Sequence, residues 1–380
     1  MKTQRAYSGR LYYIDNLRIF LGLLVVAHHW ALANGAPGDW YTGESNLGPF
    51  GTLMLSQFVA VNQAFFMGFF FLISGYMVPG SYDRKGGRRF LKERAVRLGI
   101  PLLFYFFILS PLIHFSADLF SGAYSGNILS YLSDHTGAFS AGPLWFVMML
   151  LVFGLGYHLI RIVFKRALPS MPGRAKRNRW MALALLLVVG LTYLIRIISP
   201  VGDWLDIPLL GFQPAHITQY MLCFGIGIAA YRWDILDKIR KMDWTRSLLA
   251  AQILILVVFP AMFLLSGKAD ETELFMGGGS IYSFLFALWE QVVALTMIIG
   301  LTGLFKTHLT SQNNLLKDLS RSSYAIYVFH GVVLVAVSLL VQSFSINSMQ
   351  KFIILLLPNL AFCYLLSKLI LKAPLLKKVL

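Results

Sequence analysis

Two ionisable residues inside one hydrophobic segment are the first indication of chemistry in this sequence. The segment YIDNLRIFLGLLVVAHHW, residues 13–30, contains Arg18 and, eleven residues later, His29. Eleven steps of about 100° return an α-helix to within about 20° of its starting direction, so both side chains are expected on one face, about 16 Å apart along the axis. Asp15, three residues before Arg18, is expected to pair with it. Ionisable groups deep in a hydrophobic helix are costly, so this placement favours a function.

A histidine on an interior helix face has two interpretations. The imidazole of His29 can act as a general base, because its reference pKa of about 6.5 lies near neutral pH. It can also be a structural group that is hydrogen-bonded to a neighbouring helix. His330, at the end of SYAIYVFH, is the competing base, and Tyr327 shares its helix face. Glu290, in LWEQ near the middle of another hydrophobic segment, is expected to be protonated, paired or facing water.

A basic segment, residues 84–97, is the candidate for binding an anion. Half of its fourteen residues are Lys or Arg: Arg84, Lys85, Arg88, Arg89, Lys92, Arg94 and Arg97. Arginine binds phosphate through two parallel hydrogen bonds, so the segment is suited to a polyanionic cytosolic ligand. The alternative, favoured for the segment as a whole, is that basic loops fix membrane topology and contact anionic lipids. For Arg94 and Arg97, one turn apart at the start of a hydrophobic helix, both interpretations are equally supported.

The motif FFFLISGY, residues 69–76, contains small residues within an aromatic run. Ser and Gly allow two helices to approach closely, and packing is the favoured interpretation. The alternative is that the Ser74 hydroxyl contacts the substrate. If the reaction used a covalent acyl-enzyme, Ser74 would be the first nucleophile to test.

The composition indicates a membrane protein. The chain is 57% hydrophobic and 13% charged, with a mean hydropathy of +0.66, whereas soluble domains are about one quarter charged. We predict an all-α polytopic fold in which residues 1–380 form a single integral-membrane domain with about ten transmembrane helices. The predicted spans are 17–35, 57–79, 98–115, 143–164, 180–198, 215–231, 247–266, 281–304, 323–343 and 351–371.

The distribution of charge predicts the orientation of these spans. With both termini in the cytoplasm, all but three of the 33 Lys and Arg residues fall in cytoplasmic segments, as the positive-inside rule requires. The exceptions are Arg196, Lys268 and Lys351. We therefore assign the net charge of +16 to topology rather than to nucleic-acid binding. The first segment resembles a signal peptide, but Arg18 and the cluster at residues 28–30 interrupt its apolar run, so we expect it to be retained.

Taken in order, these motifs resemble the membrane-bound acyltransferase 3 family over nearly the whole chain. The resemblance rests on DNLR with its R-x10-H spacing, FFFLISGY, RFLKERAVRLGIPLL, GPLWF, LWE and SYAIYVFH. It implies transfer of an acyl group, commonly acetyl, from cytosolic acyl-CoA to a hydroxyl of a glycan or another acceptor on the outer side. It also implies that His29 is essential, that Arg18 supports it, and that Arg94 and Arg97 lie near the CoA phosphates. We expect the stand-alone, glucan-modifying type, which lacks a fused extracellular hydrolase domain.

The sequence thus predicts a multi-pass O-acyltransferase of the plasma (inner) membrane that uses acyl-CoA, carrying acetyl or succinyl, and no metal. The expected catalytic residues are His29, Arg18, His330 and Glu290, and the expected residues for binding acyl-CoA are Arg94, Arg97, Arg88, Arg89, Ser74 and Tyr327. Tyr327 and His330 are also the candidates for holding the oxyanion.

Two other classes of protein compete with the acyltransferase. A proton-coupled transporter would use Glu290 and His330, but no pair of Gly- or Pro-broken spans in matching halves supports it. A lipid-binding scaffold would leave the buried arginine and histidine without a purpose. The sequence leaves the acceptor, the acyl chain and the oligomeric state, including a homo-oligomer, open.

Overall fold

Ten long helices make up the part of the fold that the structure describes. The structure, a computed structural model, describes residues 10–43, 46–164, 174–205, 211–268 and 271–380, with the backbone alone for 174–178. The long helices are α1 (Tyr12–Ala33), α2 (Pro49–Lys85), α3 (Gly87–Ser121), α4 (Gly142–Val163), α5 (Arg174–Ile198), α6 (Ile217–Arg232), α7 (Lys241–Ser266), α8 (Ile281–His308), α9 (Asn314–Val341) and α10 (Ser348–Ile370). A short helix, α11 (Pro374–Val379), follows them.

Each predicted span coincides with one of these helices, so the predicted all-α polytopic fold is confirmed. Within the described residues, nine helices are long and apolar enough to cross a membrane. Helix α6 has 16 residues and continues from a 3-10 turn at Pro214–His216. The largest differences are in α2 and α3, which extend beyond their predicted spans at both ends, because hydropathy marks the apolar part of a helix rather than its termini. The protein is therefore a multi-pass membrane protein, and the cytoplasmic placement of both termini stays a prediction.

Side chains just before three of the helices fix where those helices begin. The side chains of Ser280, Asn313 and Asn347 each accept a hydrogen bond from the backbone N–H three residues later. Such caps satisfy a backbone donor that would otherwise lack a partner at a helix start. The first two set the starts of α8 and α9, which carry Glu290 and His330.

Helices α2 and α6 approach each other closely through two glycines. A Cβ atom on Gly75 would lie 2.1 Å from the carbonyl oxygen of Phe224, and one on Gly227 would lie 2.1 Å from that of Leu72. No side chain fits at such distances, so the helices touch through their backbones. This confirms the packing interpretation of FFFLISGY, and Ser74 is half-buried beside this contact.

Helix α1 is enclosed by other helices. It packs against α2, α8, α9 and α10.

Helix α3 is less regular, with π-helical turns at Ala95–Gly99 and Tyr105–Leu109. Each turn is followed two residues later by a proline, Pro101 or Pro111, which cannot donate a backbone hydrogen bond. The first π-helical turn carries Arg97 and brings it toward the end of α1 that carries Arg18.

Candidate active site

His29 and His330 form a hydrogen-bonded pair between α1 and α9. The Nδ1 atom of His29 lies 3.0 Å from the Nε2 atom of His330. The other ring nitrogen of His330, Nδ1, lies 2.6 Å from the backbone carbonyl oxygen of Tyr327. The two histidines that the sequence offered as competing bases are therefore parts of one site.

The backbone carbonyl at Tyr327 determines which nitrogens of this pair carry protons. A carbonyl oxygen can only accept, so His330 Nδ1 must be the donor. In the neutral ring the Nε2 atom of His330 is then an acceptor, and His29 Nδ1 must donate to it. The hydrogen-bond network thus assigns the unprotonated nitrogen of His29 to Nε2. A base needs this arrangement, because the lone pair that takes up a proton is left free.

Aromatic rings hold His29 from two sides. Trp40, in the segment after α1, stacks on His29 with ring centroids 4.6 Å apart and an interplanar angle of 26°. The ring of His28 meets His29 edge to face at 5.5 Å. The indole Nε1 of Trp40 is buried and has no hydrogen-bond partner among the residues that the structure describes. A donor without a partner next to the base is available to a ligand.

His29 lines a cavity of about 1080 Å³. Ligand pockets are commonly about 300–1,000 Å³, so this cavity has room for an acyl group together with a second molecule. Its wall includes several aromatic residues, among them Trp40, Trp145, Tyr220 and Tyr41. Burial raises the pKa of Tyr41, which lies in the segment after α1, to about 12, so its hydroxyl stays protonated at neutral pH. The cavity is bounded in part by residues 37–41 and by residues 201, 202, 204, 211 and 213, at the end of the bundle that the charge pattern predicts to be extracytoplasmic.

Glu290 lies in the wall of the same cavity but belongs to a different buried group. Its carboxylate accepts a hydrogen bond from Arg196 of α5, with which it forms an ion pair. Its Oε1 atom lies 2.9 Å from Nδ1 of His216, which precedes α6. Of the three states expected for Glu290, the structure has it paired. Charge neutralisation by Arg196 makes a carboxylate tolerable there.

Arg18 lies at the opposite end of α1 from His29, and its side chain is 46% exposed. Its Nη1 atom is 3.7 Å from the carboxylate of Asp15, which confirms the predicted pair. Asp15 lies closer to Arg10, at 2.6 Å. Arg97 is near enough to Arg18 for their like charges to repel each other. Arg18 and Arg97 therefore form a cationic surface that an anion would stabilise.

The remaining arginines of the basic segment have other contacts. Arg94 donates from Nη1 to the carbonyl oxygen of Leu150 at 3.1 Å and so fastens α3 to α4. Arg89 bonds Glu93 at 2.9 Å, and Arg88 is exposed. Their predicted role in binding acyl-CoA stays a prediction.

Two further predicted site residues lie in different settings. The Tyr327 hydroxyl donates to the carbonyl oxygen of Pro143, so its proton is already engaged. Tyr327 nevertheless lines the cavity. Its ring stacks on that of His330, with ring centroids 5.8 Å apart. Ser74 is not among the residues that line this cavity in the described part of the chain. The structure therefore brings Tyr327, but not Ser74, to His29.

Sequence reasoning missed three residues of this region. Trp40 lies in a connecting segment, where hydropathy says nothing of side-chain direction. Arg196 was visible as one of three cations on the predicted outer side, which is the anomaly that a buried ion pair produces. His216, in QPAHITQY at the start of the sixth span, carried no signal beyond its position.

Comparison with known proteins adds one finding. The sequence profile described as Acyltransferase domain, that of the acyltransferase 3 family, matches residues 11–368. No curated protein and no solved structure matches the chain. The match includes His29, His330, Glu290 and the basic segment. Among the described residues, no group of three or more His, Cys, Asp or Glu is placed to hold a metal ion.

Proposed function

The chain belongs to the acyltransferase 3 family, and on that premise we propose that it transfers an acyl group from cytosolic acyl-CoA to a hydroxyl on the outer side of the plasma (inner) membrane. The proposed acyl group is acetyl or succinyl, and the proposed acceptor is a glycan or a related molecule. The observation that carries the proposal is the His29–His330 pair, which leaves a basic nitrogen free on the wall of a large cavity.

The proposed donor route uses both ends of α1. Arg18 and Arg97 would hold the phosphates of acyl-CoA, because exposed guanidinium groups pair well with phosphate. The slender arm of the donor would then run along α1 toward His29. An α-helix rises about 1.5 Å per residue, so eleven residues separate the two positions by about 16 Å. The thioester would thus reach the base from the cytosolic side while the acceptor occupies the cavity.

The proposed chemical step needs no covalent enzyme intermediate. Nε2 of His29 takes the proton of the acceptor hydroxyl, and the hydroxyl oxygen forms a bond to the thioester carbonyl carbon. The carbon–sulfur bond then breaks, the thiolate of CoA leaves, and the imidazolium of His29 returns the proton to that sulfur. His330 stabilises the imidazolium because its Nε2 accepts from the Nδ1–H of His29 throughout.

Trp40 is the proposed donor to the oxyanion. Its indole N–H is buried, stacks beside His29 and has no partner among the described residues. The hydroxyl of Tyr327 is a poorer candidate, because it already donates to the carbonyl of Pro143. A fixed donor aimed at developing negative charge stabilises an acyl-transfer transition state.

The proposal is tested with purified protein in lipid nanodiscs, radiolabelled acetyl-CoA and a glucan oligosaccharide acceptor. We expect His29→Ala to lower the rate of labelled product formation by about 10²- to 10⁴-fold, the usual contribution of a general base. His135→Ala, on an exposed histidine outside the cavity, is the matched control and should retain activity. Full activity in a folded His29→Ala protein would refute the role of His29.

The transporter alternative has less support. It requires Glu290 and His330 to share a proton pathway, but these residues belong to separate hydrogen-bonded groups, one with Arg196 and one with His29. Proton-coupled uptake into proteoliposomes without dependence on acyl-CoA would favour it over the acyltransferase.

A further inference from the structure

The imidazole of His216 lines the same cavity as His29, as do those of His28 and His114. Its side chain is 2% exposed, and its Nδ1 atom lies 2.9 Å from Oε1 of Glu290. Glu290 is also the ion-pair partner of Arg196, whose side chain is fully buried. Three residues from α5, α8 and the segment before α6 thus form one buried group, which we call the Arg196–Glu290–His216 triad.

The charges of the triad determine the state of His216. The guanidinium of Arg196 and the carboxylate of Glu290 cancel, so a further charge on His216 would be unpaired in an apolar wall. Nδ1 of His216 lies 2.9 Å from Oε1 of Glu290 and 3.3 Å from Nη2 of Arg196. A carboxylate only accepts hydrogen bonds, so the shorter of these two contacts places the proton of the neutral ring on Nδ1, from which it is donated to Glu290. Nε2 of neutral His216 therefore carries a lone pair. This atom is buried and has no partner among the described residues.

The surroundings of His216 are aromatic. Its ring lies parallel to that of Tyr220, with centroids 6.1 Å apart. Trp145 lies 5.4 Å from Tyr220 on the same wall. Phe286, below the guanidinium of Arg196 at 5.7 Å, also lines the cavity. An unpartnered acceptor atom beside aromatic rings fits a ligand that offers a hydrogen-bond donor next to an apolar ring face.

We propose that His216, held in place by the triad, is a binding site for a second hydroxyl of the acceptor, remote from the hydroxyl that reacts at His29. This inference rests on the proposed function and deepens it, because it requires the acceptor to be a polyol rather than a simple alcohol. The triad carries no net charge, so the site selects a neutral hydroxyl rather than an ammonium group. Glu290 is in this view a positioning residue for His216 and not a proton donor in the reaction.

The test measures binding without acyl-CoA, so that it does not depend on catalysis. The probes are methyl β-D-glucopyranoside and 2-(hydroxymethyl)tetrahydropyran, which keeps the ring and one hydroxyl. Their dissociation constants are measured by titration calorimetry on the full chain in nanodiscs. We expect the wild type to bind the glucoside about five- to tenfold more tightly, the effect of one neutral hydrogen bond. His216→Phe, which removes the acceptor, should abolish this preference, whereas His216→Gln, whose amide oxygen can accept, should retain part of it.

Two results would overturn the proposal. The first is a wild-type protein that does not prefer the glucoside. This measurement does not depend on the folding of any variant. The other is an unchanged preference in His216→Phe. Kinetics with the glucoside as acceptor adds a second readout: the variant should raise KM for the acceptor with little change in kcat, and a collapse of kcat with unchanged binding would also overturn it. A failure of the His29 proposal would be seen in a different measurement. In that case the His29→Ala variant would still transfer the acyl group, while the wild type would still bind the glucoside more tightly.

Discussion

Replacement of His330 by phenylalanine should slow acyl transfer without removing the base. In the resting protein His330 accepts the Nδ1–H of His29 at 3.0 Å. When His29 becomes an imidazolium in the transition state, this bond has a charged donor, and such bonds contribute about 1.5–3 kcal/mol. A loss of that size lowers the rate by about 10- to 150-fold. The effect should lie in kcat rather than in KM, because the bond strengthens only as the proton is transferred.

The assay is single-turnover acetyl transfer with saturating acetyl-CoA, compared among wild type, His330→Phe, His330→Gln and His29→Ala. The glutamine can accept from His29 through its amide oxygen, so His330→Gln should lose less activity than His330→Phe. Thermal unfolding of each variant separates a catalytic loss from a folding defect. If His330→Phe were more damaging than His29→Ala, His330 would be the base and the assignment of protons in the pair would be wrong.

Three further predictions concern packing, the donor site and the oxyanion. Gly75→Val should lower the melting temperature, with a loss of about 1–3 kcal/mol or more, because a Cβ there would lie 2.1 Å from a carbonyl oxygen of α6; Gly22→Ala, where nothing lies within 4 Å, is the control. Arg18→Gln should raise KM for acetyl-CoA and make this KM less dependent on salt, which initial rates at low and high ionic strength would measure. An unchanged KM would contradict phosphate binding at Arg18. Trp40→Phe keeps the stacked ring but removes the N–H, so kcat should fall about 10²- to 10³-fold; an unchanged kcat would exclude Trp40 as the oxyanion donor.

Helical periodicity was enough to place part of the site. It predicted α1 and the contact of Arg18 with Asp15, because both depend only on the repeat of one helix. The shared face of Arg18 and His29 stays a prediction. Hydropathy predicted the ten long helices, since a span that crosses a bilayer must present about 20 apolar residues to it; only α6, with 16 residues, is shorter. These are local properties that a sequence displays directly.

The pairings between helices could not be predicted in this way. His29 and His330 are 301 residues apart in sequence, and Arg196 and Glu290 are 94 apart. Each pair forms only because particular helices lie side by side at a particular rotation, which hydropathy does not specify. The sequence therefore offered His29 and His330 as rival bases, whereas the fold makes one the hydrogen-bond acceptor of the other.

The arrangement of charge is compatible with the proposed reaction, in which two reactants approach His29 from opposite sides. The permanent positive charge near α1 lies at Arg18 and Arg97, so the phosphates of a donor gain nothing by moving deeper. The imidazole pair of His29 and His330 has no charged partner, because it is held by a backbone carbonyl instead of a carboxylate. A carboxylate partner would bind the proton of the imidazolium more tightly, but its own charge would need a cation in the apolar wall, as Glu290 needs Arg196. A neutral partner avoids that cost, and in the proposed reaction the imidazole pair becomes charged only during acyl transfer.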